Sequence, residues 1–223
     1  MPTTNVDPLL NAALAPSVQV PPTVHQDFVD AHCKIITDFT WSMSPIIDQV
    51  RRNISIAVEE AANMGARFKP AFIVVRDIPD DGPEKGLRDD GFMDVEEFKR
   101  ALQSEPVIGN TTIPESQLDA VLAAIVGPWP NMKPRRPKHI VLTTDSGTHP
   151  NTQDGKNTDD VVKLAHKYGC RIHVIGPGDD KDYLKLTGET GGFLFDIDKH
   201  NDSKAYKRIF SILGRTITQT AVA

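Results

Sequence analysis

This chain of 223 residues is poor in cysteine and aromatics, has no long apolar run, and carries no surplus of positive charge. Two cysteines, Cys33 and Cys170, are too few for the disulfide framework of a small secreted domain, and each borders an apolar stretch, as buried free thiols do. Aromatics make up 6%, so any core must be mostly aliphatic, and Val, Ile, Leu and Ala are plentiful enough to build a layered α/β core. No apolar stretch is long enough to span a bilayer, and no basic segment followed by an apolar one opens the chain. The expectation is a soluble, cytoplasmic protein without membrane contact. Lys and Arg number 25 against 30 Asp and Glu, a formal charge of −5, which argues against a general nucleic-acid binder. The short basic run "KPRRPKH" (133–139) reads as a solvated, Pro-rich loop before a strand. Seven histidines and two cysteines show no zinc-ligand spacing.

What is present is an alternation of strands and helices. At 39% hydrophobic, the chain can bury one sizeable core. Residues 1–26, rich in Pro, Thr and Asn without a period, read as a flexible tail, and 27–220 as a single domain. "FVDAHCKIIT" (28–37) reads as a strand, 44–64 as an amphipathic helix through Ile47, Val50, Ile54 and Val58, and 70–77 as a buried strand. The Gly- and Asp-rich stretch 78–91 reads as a loop, 94–103 as a short helix, and a further helix is expected to open at Pro114. "KHIVLTTD" (138–145) is a second buried-type strand. After it come a helix over 158–168, a strand in "CRIHVIGPG", a short helix over 181–187, an edge strand in "GGFLFDI" and a terminal helix over 201–218. This order implies a doubly wound, mostly parallel sheet with helices on both faces.

Two of the apolar strands end in an aspartate, Asp38 and Asp145. In such a sheet, ligands sit beyond the carboxyl ends of the strands, where strand order reverses. Thr40 and Ser42 follow Asp38 at alternate positions, so an extended segment points them the same way. The result is a set of hard oxygens suited to Mg²⁺ or Mn²⁺ and unsuited to zinc. For "DFTWS" alone, capping of the next helix by Ser42 or Ser44 is the more economical account. Other pieces arrive in order, however. "GNTTIPES" places Thr112 in a turn before a helix start, "LTTDSGTHP" supplies Asp145, and "LTGETGGFLF" brings a glycine pair into a short strand.

In this ordered combination the chain resembles the von Willebrand factor A (vWA) domain family, over about residues 28–215. Asp38, Thr40 and Ser42 match its Asp-x-Ser-x-Ser motif, with Thr in place of the first Ser. Gly109 and Thr112 match its Gly-Gly-x-Thr turn, with Asn110 departing from it, and Thr144-Asp145 match its fourth strand end. "VVRD" and the His-Pro after Asp145 are similar to the branch found beside alpha-kinase domains, which often has Asp where this chain has Thr112. "GNTTIPE" is also similar to an integrin β turn, and in that alignment Glu115 approaches the metal.

The resemblance implies a metal-ion-dependent adhesion site (MIDAS). Asp38, Thr40, Ser42, Thr112 and Asp145 would hold Mg²⁺, or Mn²⁺ or Ca²⁺, with Glu115, Thr111 and Thr144 at or near the ion. An acidic group of a partner protein would then take the open position. Such a module needs no nucleophile and is expected not to be an enzyme. His149 lies near Asp145 but has no placed nucleophile to activate, and reads as a loop histidine. Three alternatives stay open. One is a Mg-dependent haloacid-dehalogenase-like phosphotransferase with Asp38 as nucleophile and "GPGDDKD" (176–182) as metal loop, although Thr40 stands where its second acid is expected. Another is a dinucleotide-binding dehydrogenase, for which "TDFTWSMSP" lacks the required glycines. The third is a scaffold of the same fold that no longer uses its metal.

Overall fold

A computed structural model describes residues 30–63, 67–109, 113–130 and 138–197, together with Ser211. Six strands form one sheet in the order β3-β2-β1-β4-β5-β6. They are β1 (Asp30–Asp38), β2 (Arg67–Val75), β3 (Leu87–Phe92), β4 (Lys138–Thr143), β5 (Cys170–Gly176) and β6 (Leu194–Asp196). All neighbours run parallel except β3, which pairs antiparallel with β2 at the edge. The connecting helices are α1 (Ile47–Asn63), the short α2 (Ile78–Asp81) and α3 (Pro83–Gly86), α4 (Val95–Ser104), α5 (Gln117–Val126), α6 (Thr158–Tyr168) and α7 (Lys181–Thr190). Among the described residues, no helix is long and apolar enough to cross a membrane.

The period-two alternation of the central strands divides the apolar side chains between two cores. Cys33, Ile35, Phe72, Val74, Val141 and Ile175 face α1 and α4. Ile36, Ile73, Val75, Ile140, Leu142, Ile172 and Val174 face α5, α6 and α7. Each fully buried Val, Ile or Phe contributes about 1.5–3 kcal/mol relative to exposure, so these two layers hold the sheet between the helices. The helix starts are marked by side-chain caps. Asp94 accepts from Glu97 N, Asn157 from Asp160 N, and Asp180 from Asp182 N and Tyr183 N.

Three local expectations need correction. Residues 78–91 are not one loop: they form α2, α3 and most of β3, whose charged sequence Leu-Arg-Asp-Asp-Gly-Phe is tolerated because only one edge is paired. The helix expected to open at Pro114 starts at Gln117, and Glu115 instead pairs with Thr148 in an isolated parallel bridge. Ser42 does not cap α1; a 3-10 turn over Trp41–Met43 intervenes, and the Ser42 hydroxyl points elsewhere. The N-terminal tail, the 133–137 part of the basic run and, apart from Ser211, the terminal helix over 201–218 lie outside the described residues.

Candidate metal centre

The strand order reverses between β1 and β4, and their carboxyl ends deliver Asp38 and the pair Thr144-Asp145 to the two sides of that point. The Thr144 hydroxyl donates to Asp38 Oδ2 over 2.7 Å. Asp38 Oδ1 accepts from the Thr40 backbone N–H at 2.9 Å and from the Thr40 hydroxyl at 2.7 Å. The Ser42 hydroxyl donates to Asp145 Oδ1 at 2.8 Å. Thr40 Oγ1 and Ser42 Oγ stand 3.0 Å apart. Each aspartate therefore holds one hydroxyl of an adjacent pair, and four of the expected ligands, Asp38, Thr40, Ser42 and Asp145, converge with Thr144 beside them.

The direction of these bonds matters. A hydroxyl has one hydrogen and two lone pairs. With the Thr40 hydrogen on Asp38 and the Ser42 hydrogen on Asp145, both hydroxyl oxygens turn lone pairs toward the space between them. A patch of that kind accepts a cation or a further donor.

Glu115 completes one wall. Its side chain is fully buried, its backbone N–H donates to Gly147 O at 3.1 Å, and its carbonyl accepts from His149 N at 2.8 Å. Burial first, and then the negative charge of Asp38, push its carboxyl up to about 9. Its Oε1 is buried with no hydrogen-bond partner. Thr111 and Thr112, expected as further ligands, lie outside the described residues.

One residue at the centre had no role in the sequence reading. Gln117, the first residue of α5, is fully buried and places Nε2 2.7 Å from Glu115 Oε2 and 3.1 Å from Asp38 Oδ2. The available signal was one amide opening a helix whose other residues are apolar except Asp119, and helix starts commonly carry polar residues. His149 is paired: its Nε2 lies 3.0 Å from Asp77 Oδ1, which also accepts from the Ser116 hydroxyl at 3.1 Å. In the segment 176–182, Asp180 caps α7 and Asp182 accepts from the Thr158 hydroxyl.

The donor set fits a hard divalent cation. It mixes carboxylates with neutral hydroxyls, and it contains a buried carboxyl oxygen without a hydrogen-bond partner, Glu115 Oε1. Among the described residues, no group of three or more His, Cys, Asp or Glu side chains is disposed to hold a metal. A site here therefore depends on Thr40 and Ser42 as much as on the acids.

No family model matches the chain, and no curated protein does. Solved structures do. BatB from Bacteroides thetaiotaomicron, described as a conserved hypothetical protein, aligns with a TM-score of 0.61 at 17% identity over 86% of this chain and 100% of its own. The SpRpn10 VWA domain aligns at 0.59 and 13% identity, covering 81% of this chain and 94% of that domain. The pilus adhesin SpaC from Lactobacillus rhamnosus GG, in an open conformation, gives 0.59 at 14% identity over 86% of this chain, which spans 30% of SpaC. At these identities the likeness concerns architecture, and it agrees with the order of the mostly parallel sheet: the chain has the fold of a von Willebrand factor A domain.

Proposed function

We propose that the domain is a metal-dependent protein-binding module in which Asp38, Thr40, Ser42 and Asp145 hold Mg²⁺ or Mn²⁺. The supporting observation is the 3.0 Å separation of Thr40 Oγ1 and Ser42 Oγ, each with its hydrogen turned to a carboxylate. Neighbouring ligands of an octahedral Mg²⁺ at about 2.1 Å lie roughly 3 Å apart, so this pair already has the spacing of two adjacent ligands. Bound there, the ion would supply a positive centre for an acidic side chain of a partner protein. The two hydroxyls are neutral and leave much of its charge uncompensated, while Asp38 and Asp145 orient those hydroxyls by accepting their hydrogens. Glu115 or Thr112 would complete the third side. SpaC is described as a pilus adhesin, which is in keeping with a binding role for this architecture.

The phosphotransferase reading finds less support. Asp38 is fully buried, whereas a nucleophile needs an approaching substrate. The metal loop that reading requires consists of an N-cap and a hydroxyl-bonded aspartate. The test is thermal melting with Mg²⁺ or Mn²⁺, followed by partner capture with and without EDTA. The melting temperature should rise in the wild type and stay unchanged in Asp38→Ala with Asp145→Ala. No rise in the wild type, or an equal rise in the double variant, would leave the metal-free scaffold as the better account.

A further inference from the structure

Asp38 has a second side, away from Thr40. Gln117 Nε2 stands there within reach of four oxygens: Glu115 Oε2 at 2.7 Å, and Asp38 Oδ2, Thr144 Oγ1 and Ser146 Oγ each at 3.1 Å. The four come from four segments, the end of β1, the turn before α5, the end of β4 and the turn beyond it. Thr144 already gives its hydrogen to Asp38, and the Ser146 hydroxyl donates to Gly147 O at 3.3 Å. All four oxygens thus face Gln117 as acceptors, while a carboxamide nitrogen carries two hydrogens. The nest therefore has more acceptors than its occupant can satisfy.

Two further atoms register the mismatch. Glu115 Oε1 and Gln117 Oε1 are both buried and have no partner. Turning the amide over would set its oxygen against the Asp38 carboxylate, so the nitrogen faces inward despite the orphaned carbonyl. Among the described residues, no Lys or Arg forms an ion pair with Asp38 or Glu115. Among the described residues, the Gln117 amide supplies N–H donors to both acids together.

We propose that Gln117 is an internal plug: its carboxamide occupies the inner side of the oxygen cage and competes with a divalent cation for Asp38 and Glu115. The inference rests on the metal-binding reading. The N–H donated to the Asp38 carboxylate offsets charge that would otherwise attract the ion, so the plug stabilises the cation-free domain and lowers its affinity for metal. Removing it should tighten cation binding, the reverse of what loss of a ligand or of a purely structural contact would do.

The experiment is calorimetric titration of the full chain with Mn²⁺, alongside thermal melting, for the wild type, Gln117→Ala and Gln117→Glu. Gln117→Ala should melt lower without ion and bind Mn²⁺ about tenfold tighter, the scale of one charge-assisted hydrogen bond. Gln117→Glu, of equal length, should tighten binding as well by adding a carboxylate. A folded Gln117→Ala with wild-type or weaker affinity overturns the plug. Should that variant fail to fold with or without Mn²⁺, Gln117→Glu decides, and affinity no tighter than wild type overturns it. Silence in all three proteins overturns the metal reading and the plug together. Binding by wild type without tightening in the variants removes the plug alone, and a silent wild type beside a responsive Gln117→Ala supports both.

Discussion

Lys34 and Asp38 sit four residues apart on one strand, on the same face of the sheet, and both are fully buried. Around Lys34 the chain supplies its own counter-charge. Nζ lies 3.3 Å from Asp89 on β3, 5.2 Å from the Trp129 ring centre and 5.9 Å from that of Phe92. Burial lowers the affinity of its amine for a proton, and Asp89 partly restores it. Around Asp38 the chain supplies two more acids, several hydroxyls and one amide, with no Lys or Arg ion pair to Asp38 among the described residues. A domain able to bury a cation beside one carboxylate on β1 has collected acids at the other end of that strand without doing so. On the proposed reading the Asp38 end takes charge brought from outside, while the Lys34 end is internal structure.

Breaking the Lys34 pair gives the largest expected effect. Lys34→Ala leaves Asp89 without its partner and opens a cavity under Trp129, and should cost about 3–4 kcal/mol in chemical denaturation, toward the low end for buried pairs because Asp89 is partly solvated. A comparable effect comes from charging the neutral buried pair His139 and His173. These rings stack with centres 5.4 Å apart and Nδ1 of His139 lies 3.1 Å from Nε2 of His173. Burial lowers His139 to about 4 and His173 to about 3. Between those values and the unfolded value near 6.5 the unfolded chain binds more protons, so stability falls as pH drops through that window. About 4 kcal/mol should be lost between pH 7 and pH 5, and His173→Phe should roughly halve that loss in urea titrations at the two pH values.

Cation addition comes next. At a free ion concentration about one hundredfold above Kd, stabilisation is about 2.7 kcal/mol, or about 5–10 °C in melting temperature for a chain of this size. Asp38→Asn should abolish this response while keeping the side-chain volume, which separates charge from packing. The smallest effect sharpens the contrast. Lys34→Met replaces an internal ion pair with apolar volume and should alter stability by about 1 kcal/mol or less, leaving the cation response intact. A Lys34→Met protein that lost its Mn²⁺ response would show that the two ends of β1 are coupled.

Much of the frame was legible in the sequence. Short apolar runs at β1, β2, β4 and β5, and helical spacing at α1 and α6, carry their own periodicity, and both faces of a parallel sheet must be apolar. That Asp38, Thr40, Ser42 and Asp145 come together was legible only from the ordered combination of motifs, since for Asp38-Thr40-Ser42 alone helix capping was the more economical account. β3 was hidden because Arg88, Asp89, Asp90 and Gly91 have low strand propensity; its pairing with β2, with a register shift at Phe72/Ile73, decides its state. The start of α5 was misplaced because proline at a helix opening is a statistical preference, and the bridge between Glu115 and Thr148 overrides it here. The glycine pair after α7 was noted without its reason: a Cβ on Gly192 would stand 1.7 Å from Ile172 O, so the chain crosses β5 too closely for any side chain.

By itself the sequence determined the layering and the residues that end β1 and β4, because hydrophobic periodicity and strand-end polarity are local properties of the chain. What only the tertiary structure decided is which polar groups share the space beyond those ends. Gln117 and Glu115 reach Asp38 through the packing of α5 against the sheet, and Asp145 reaches Ser42 through the adjacency of β4 and β1. Hydrogen bonds across 79 and 103 residues of chain leave no trace in local pattern, because their geometry is set by strand order and helix docking.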